Sequence, residues 1–429
     1  MIFLIIHVVK SGENLYEISK LYGVSYDKIA SDNELTKPNE LVVGQTLVIL
    51  QDTRTHKVLP GQSLYSIAKM YNVTIADLYA ANPLLTSSMI IYPGQIINIP
   101  LSPQKLGSIE VNAYALPTTN MDVLAKTLPN LTYLSIFSHQ VQADGTLKGI
   151  NDVPLIQAAR KAKVAPMMVI TNLKEGGGFD SDLVHTILTN ENVQNTLLNN
   201  IVNNLKNKNY YGLDIDFEYI HPEDRVNYNN FLRKVVSRLK PLGYPVTTAL
   251  APKPSGDIKG LLYEAHDYPV HGALATHVIL MTYEWGYTAG PPLAVSPINE
   301  VKKILDYAVT VIPSKKIFMG IPNYGYDWTL PFVKGTTATA VGNVEAVDLA
   351  RKVFASIQYD PISQAPFFNY YDSNGKKHVV WFEDARSMNA KLRTANEYNL
   401  GGASYWTVGK FFPQAWLVQN SLYAVKKLL

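Results

Sequence analysis

The spacing of apolar residues changes character near residue 108, and the two parts of the chain predict different architectures. In the first part, His7-Val8-Val9 reads as a short strand, after which Leu15, Ile18 and Leu21 fall on one face of a helix. Ser25 suits the N-cap of a second helix containing Ile29, and Val43-Gly44-Gln45 turns the chain into a closing strand. The same succession returns as His56 and Val58, then Leu64, Ile67 and Met70, then Thr74 ahead of Leu78, then Pro93-Gly94-Gln95. The offset is constant from Gly12/Gly61 through Asn33/Asn82 and one residue longer at Gly44/Gly94, so the second copy has gained a residue in the loop before its last strand. Two strand–helix–helix–strand repeats are therefore expected, over residues 1–51 and 52–101.

From Ser108 onward, short apolar runs alternate with helical stretches such as Val226–Leu239 and Ile298–Val311. The candidate strands are Ile109–Ala115, Tyr133–Ser138, Ala165–Thr171, Gly212–Glu218, Val246–Ala251, His277–Tyr283, Ile317–Ile321 and Gly402–Thr407. This predicts an α/β fold over residues 102–429, a (β/α)8 TIM barrel, with a doubly wound open sheet as the alternative that the period leaves open. The stretch from Asp327 to Asp384 is too long for one βα unit. Phe367–Tyr371 and Val379–Phe382 within it predict a small inserted α+β subdomain. Leu101 to Gly107 reads as a short linker, and the repeats are expected to be removable without loss of the barrel.

Composition narrows the function. A net charge of +3 with nearly balanced acids and bases gives no reason to expect nucleic acid as a partner. The absence of cysteine excludes disulfides and thiolate metal sites. Met1 to Ile6 is apolar but too short for a signal-peptide core, and no run is long enough to span a bilayer, so no membrane partner is expected.

The most informative stretch is Tyr211-Gly-Leu-Asp-Ile-Asp-Phe-Glu218. With a strand's period of two, Asp214, Asp216 and Glu218 share one face and Leu213, Ile215 and Phe217 the other. Like charges buried together cannot all ionise, so at least one carboxyl holds a proton near neutral pH, which is what a general acid needs. Glu218, nearest the strand's C-terminal end, is the candidate for that role. No His or Cys cluster with ligand spacing accompanies the acids, so no metal and no cofactor is expected.

Two resemblances extend this reading. The repeats resemble LysM domains over residues 6–50 and 55–100, which implies binding of N-acetylglucosamine chains. By that resemblance the contacts come from Gly12, Glu13 and Asn14 with residues near Asn33, and from Gly61, Gln62 and Ser63 with residues near Asn82; turn and cap chemistry is the competing role for each. The acidic ladder resembles the DxxDxDxE signature of glycoside hydrolase family 18, the chitinase-like family, with Tyr211 in place of the first acid. Met281-Thr-Tyr-Glu284 resembles the family's MxYD with Glu284 for Asp, Ser404-Tyr-Trp406 its floor tryptophan, and Gly320-Ile-Pro-Asn-Tyr-Gly325 its GxPxYG.

The resemblance implies Glu218, Asp216, Asp214 and Tyr283 as catalytic residues, with Trp406, Tyr114, Tyr324 and Glu284 lining the sugar site. It implies a retaining, substrate-assisted N-acetylglucosaminidase acting on peptidoglycan or a chitin-like polysaccharide. Two repeats ahead of such a barrel are similar to spore cortex-lytic N-acetylglucosaminidases, which implies a monomer in the spore coat or cortex, or on the cell wall. A chitinase and a non-catalytic chitin- or peptidoglycan-binding lectin are the alternatives.

Overall fold

The computed structural model describes residues 3–51, 53–85, 90–101, 105–174 and 176–429. Residues 1–2 of the apolar start and 102–104 of the expected linker lie outside them. Each repeat pairs two antiparallel strands, Phe3–Val8 with Thr46–Gln51 and Thr53–Lys57 with Ile96–Pro100. Two helices lie between the strands of each pair. Ser25 and Thr74 cap the second helices as the pattern predicts, and Thr74 forms a reciprocal capping box with Asp77.

The eight remaining principal strands are Gly107–Ala115, Tyr133–Val141, Ala165–Thr171, Gly212–Asp216, Val246–Leu250, His277–Leu280, Ile317–Pro322 and Gly402–Trp406. They pair in parallel in that order, and the eighth returns to the first, with Gly402 opposite Glu110 and Tyr405 opposite Ala113. That closure makes a barrel and removes the open-sheet alternative. The fourth strand is shorter than expected: it ends at Asp216, and Glu218 stands in the loop beyond.

Two cores follow from the period of the strands. Leu213, Ile215 and Phe217 join the layer between strands and helices. Tyr114, Tyr133, Met167, Val169, Ile279 and Phe318 fill the inside of the barrel. Asp214 and Asp216, buried on the opposite side of their strand from those outer residues, face that interior.

After the seventh strand the chain leaves the barrel to build a five-stranded antiparallel sheet, in the order Thr339–Val341, Gly325–Leu330, Lys377–Trp381, Ala365–Tyr371, Gln358–Asp360. A helix over Asn343–Lys352 packs on it through Ala346 and Ala350.

The first repeat packs onto the barrel, with its Val48 and Leu50 in the barrel's main core. Removing the repeat strips apolar cover from the C-terminal helices.

Candidate active site

The acidic ladder begins at the most enclosed point. Asp214 is fully buried and its two oxygens are occupied by hydroxyls. Tyr114, on the first strand, donates to Oδ2 at 2.6 Å, and Thr247, directly across in register on the fifth strand, donates to Oδ1 at 2.7 Å. Burial raises its pKa while the hydroxyl bonds from Thr247, Tyr114 and Ser135 pull it back. Asp214 is thus a fixed acceptor, not a group free to meet substrate.

Asp216 differs. Its Oδ1 is buried without a hydrogen-bond partner. Burial, then the charges of Glu218 and Asp214, hold its carboxyl well above the usual carboxylate range. An unpaired buried oxygen is costly, so a partner arriving from the cleft is favoured.

Glu218 is aimed by its backbone. Asn172, just past the third strand, accepts from the Glu218 amide at 3.0 Å and donates to the Glu218 carbonyl at 2.8 Å. His266 ties the preceding residue. Its Nδ1 accepts from the Ala251 amide at 2.8 Å, so Nε2 carries the hydrogen and donates to the Phe217 carbonyl at 2.9 Å. Burial lowers the His266 pKa to about 4, which keeps this neutral tautomer at physiological pH. Burial and then the negative charge of Glu284 push the Glu218 pKa up to about 7.

The surrounding aromatics form the floor and wall. Trp406 lies with its ring 4.8 Å from Phe137 and 5.3 Å from Tyr114 between centroids, both edge-on. Burial and then the charge of Asp216 raise the Tyr283 pKa well above the phenol range, so its hydroxyl remains a donor. Tyr283 packs close to the seventh strand because residue 320 is glycine: a Cβ there would come within 2.8 Å of its ring and 2.5 Å of the Leu280 carbonyl oxygen. Glu284 accepts hydrogen bonds from Tyr324 and, at 3.0 Å, from Tyr326.

These groups converge on a cleft of about 670 Å³ lined by Asp216, Glu218, Tyr283, Glu284, Tyr114 and Trp406. That volume suits a bound oligosaccharide segment. Tyr324 supports Glu284, and Tyr326 contributes to the lining in its stead. Asn172, Thr247, His266, Phe137 and Tyr326 were not singled out from the sequence. Thr247 leaves one signal there, as one of two adjacent threonines on an otherwise apolar strand; the others leave none. Among the described residues, no group of three or more His, Asp or Glu side chains is arranged to hold a metal.

The expected sugar contacts of the repeats are engaged in local structure. The side chains of Asn14 and Ser63 cap the first helix of each repeat, and Gly12 and Gly61 take positive φ in the turn before them. Glu13 and Gln62 bond to His7 and His56. Asn33 and Asn82 bracket the backbone of Val48 and Asn98.

Residues 114–410 match the glycosyl hydrolases of family 18, and residues 7–50 and 56–100 match the LysM domain. The chain is 43% identical to the cortical fragment-lytic enzyme of Bacillus subtilis (strain 168), over 98% of this chain and 99% of that protein. It superposes on the spore cortex-lytic enzyme SleL of Bacillus megaterium QM B1551 with a TM-score of 0.88 at 39% identity, covering 100% of both chains. A chitinase from Chromobacterium violaceum ATCC 12472 aligns with 73% of this chain and 98% of its own, with a TM-score of 0.69 and 25% identity.

Proposed function

The chain belongs to glycosyl hydrolase family 18, a glycosidase with two LysM domains ahead of its barrel, and from that premise we propose that it cleaves β-1,4 bonds after N-acetylglucosamine in peptidoglycan, with spore cortex or its fragments as the polymer during germination. It acts as a monomer in the spore coat or cortex.

The mechanism is retaining and substrate-assisted. Glu218 protonates the leaving glycosidic oxygen. The carbonyl oxygen of the substrate's own acetamido group attacks C1 and forms an oxazolinium ion, an exception to the usual two-carboxylate scheme. Asp216 accepts from the acetamido nitrogen and balances its developing positive charge. Tyr283 donates to the acetamido oxygen and fixes its line of attack, and Trp406 supplies the apolar surface beneath the ring. Glu218, now a carboxylate, takes a proton from water as water opens the oxazolinium, which restores both the acid and the original anomeric configuration.

The observation that carries this reading is the disposition of the four carboxylates. Asp214 is saturated by hydroxyls and buried. Glu284 is held by two tyrosines. Asp216 alone has an unpartnered buried oxygen, beside an acid with a pKa near 7. Asp214 and Glu284 are thus engaged, and the one open carboxylate oxygen, on Asp216, offers an acceptor for the nitrogen of an acetamido group. Retention of the acid argues against a lectin.

The acetamido requirement also selects the cut. Chitin meets it at every sugar. In cortex, a muramic lactam has its nitrogen locked in a ring and cannot assist, so the sugar at the cleaved position is N-acetylglucosamine. The test is Glu218→Gln, which keeps the shape but cannot donate a proton. Turnover of cortex fragments is expected to fall about 10²–10⁴-fold with sugar binding retained. Activity above a tenth of wild type removes Glu218 from the acid's role.

A further inference from the structure

The two N-terminal repeats share a fold but not an environment. One face of the first repeat's strand pair is turned onto the barrel. Val48 and Leu50 lie in the barrel's main core, with Leu4 and Ile6 packed against it. Thr46 donates to Gln414 Oε1 at 2.8 Å, and Gln414 Nε2 donates to the Thr46 carbonyl at 2.7 Å.

The loop leading into the closing strand is held as firmly. The Ile357 amide donates to the Val43 carbonyl at 2.8 Å, and Arg351 Nε to the Glu40 carbonyl at 2.7 Å. Val42 is buried in the core of the inserted subdomain. At Gly44 an added Cβ would stand 1.8 Å from the Ile357 carbonyl oxygen, so the seam leaves no room for a side chain.

The equivalent positions of the second repeat are open. Val42, Gly44 and Thr46 correspond to Tyr92, Gly94 and Ile96. Tyr92 is 66% exposed, Ile96 58% and Leu84, earlier on the same loop, 96%. A Cβ on Gly94 would meet nothing within 4 Å. The outward strand positions change chemistry too: Leu4, Ile6, Val48 and Leu50 become Thr53, Thr55, Asn98 and Pro100. One copy has apolar residues where it meets protein; the other has polar residues at three of those four positions and keeps apolar and aromatic ones on the loop edge.

We propose that the repeats divide the work: the first is a wall of the catalytic domain, and holding the polymer falls to the second. Its open edge, with Leu84, Tyr92 and Ile96, is the surface against which the N-acetylglucosamine-containing glycan lies. Large exposed apolar groups lying together mark an interaction surface, and in the first repeat the positions matching Tyr92 and Ile96 are already covered, Val42 by the inserted subdomain and Thr46 by Gln414. The glycan as occupant rests on the function proposed above. The second repeat is also tethered at both ends. It follows Leu50, buried in the barrel core, and precedes Leu106, whose amide donates to the Leu422 carbonyl at 2.8 Å. A polymer held there stays near the cleft at high effective concentration.

The test uses full-length protein, insoluble peptidoglycan and thermal unfolding. With Leu84→Ala and Tyr92→Ala combined, the association constant from co-sedimentation is expected to fall about tenfold or more, with the barrel's unfolding midpoint unchanged. Val48→Asp is expected to lower that midpoint by roughly 4 °C or more, while Asn98→Asp at the equivalent position leaves it in place. Sedimentation undiminished in the double variant, where wild type sediments, overturns the second repeat's role. A wild-type dimer that the double variant dissolves overturns it as well, by giving the edge to a second copy. An unchanged midpoint for Val48→Asp overturns the wall. Wild type that fails to sediment at all overturns instead the glycan reading on which the second repeat's role rests.

Discussion

Asn172 grips the backbone of Glu218 from both sides, accepting from its amide at 3.0 Å and donating to its carbonyl at 2.8 Å. The acid stands beyond the end of its strand, where no ladder bond can hold it, and this pair of bonds replaces the ladder. Asn172→Ala is therefore expected to lower kcat by about 10²-fold through misplacement of the acid, with KM little changed. Steady-state kinetics on soluble cortex fragments read the split. A rise in KM with kcat preserved assigns Asn172 to substrate binding instead.

Glu284 is expected to contribute, after burial, to the upper pH limit of activity. Catalysis needs Glu218 protonated, and its pKa is pushed up to about 7 by burial and by the Glu284 charge. Activity is expected to decline above that pH, as the acid form is lost. Glu284→Gln removes the like charge, lowers the Glu218 pKa and moves the declining limb to lower pH. The pH profile of kcat/KM for the free enzyme is the measurement. A limb that stays in place shows that burial alone raises the acid's pKa.

Tyr211, which stands where the family signature has its first acid, is expected to resist restoration. Its ring lies 6.2 Å from that of Tyr133 in the barrel interior, while the hydroxyls of Tyr114 and Thr247 hold Asp214. Tyr211→Asp removes an aromatic from the interior and adds a negative charge near Asp214. We expect about 2–4 kcal/mol of lost stability and no gain in turnover, checked by denaturant unfolding and initial rates. A large gain in rate shows the ladder incomplete as it stands.

Products from cortex are expected to carry N-acetylglucosamine at the reducing end, in the β configuration when first formed. Two successive inversions at C1, one by the acetamido oxygen and one by water, give that outcome. Proton NMR of the anomeric region early in the reaction reads it before mutarotation. An initial α product means a single displacement by an activated water, which removes the roles given to Asp216 and Tyr283. Muramic residues at the reducing end make the enzyme a muramidase.

The sequence by itself determined whatever depends on local period. Alternation along Gly212–Asp216 placed the aspartates inside the barrel and their apolar neighbours outside, because a strand offers only two faces. Helical spacing and cap residues located the helices of both repeats. Tertiary structure decided which distant side chains complete the site. Asn172, Thr247 and His266 lie far along the chain from the residues they hold, and no periodicity reports such a meeting. It also decided the fates of the two repeats. Phe3–Val8 and Thr46–Leu50 are rich in apolar residues on both faces, a pattern that signals burial on both sides without naming the second partner. Only the packing of Val48 and Leu50 into the barrel's core identifies that partner as the barrel, since which apolar faces meet is settled by closure of the whole chain.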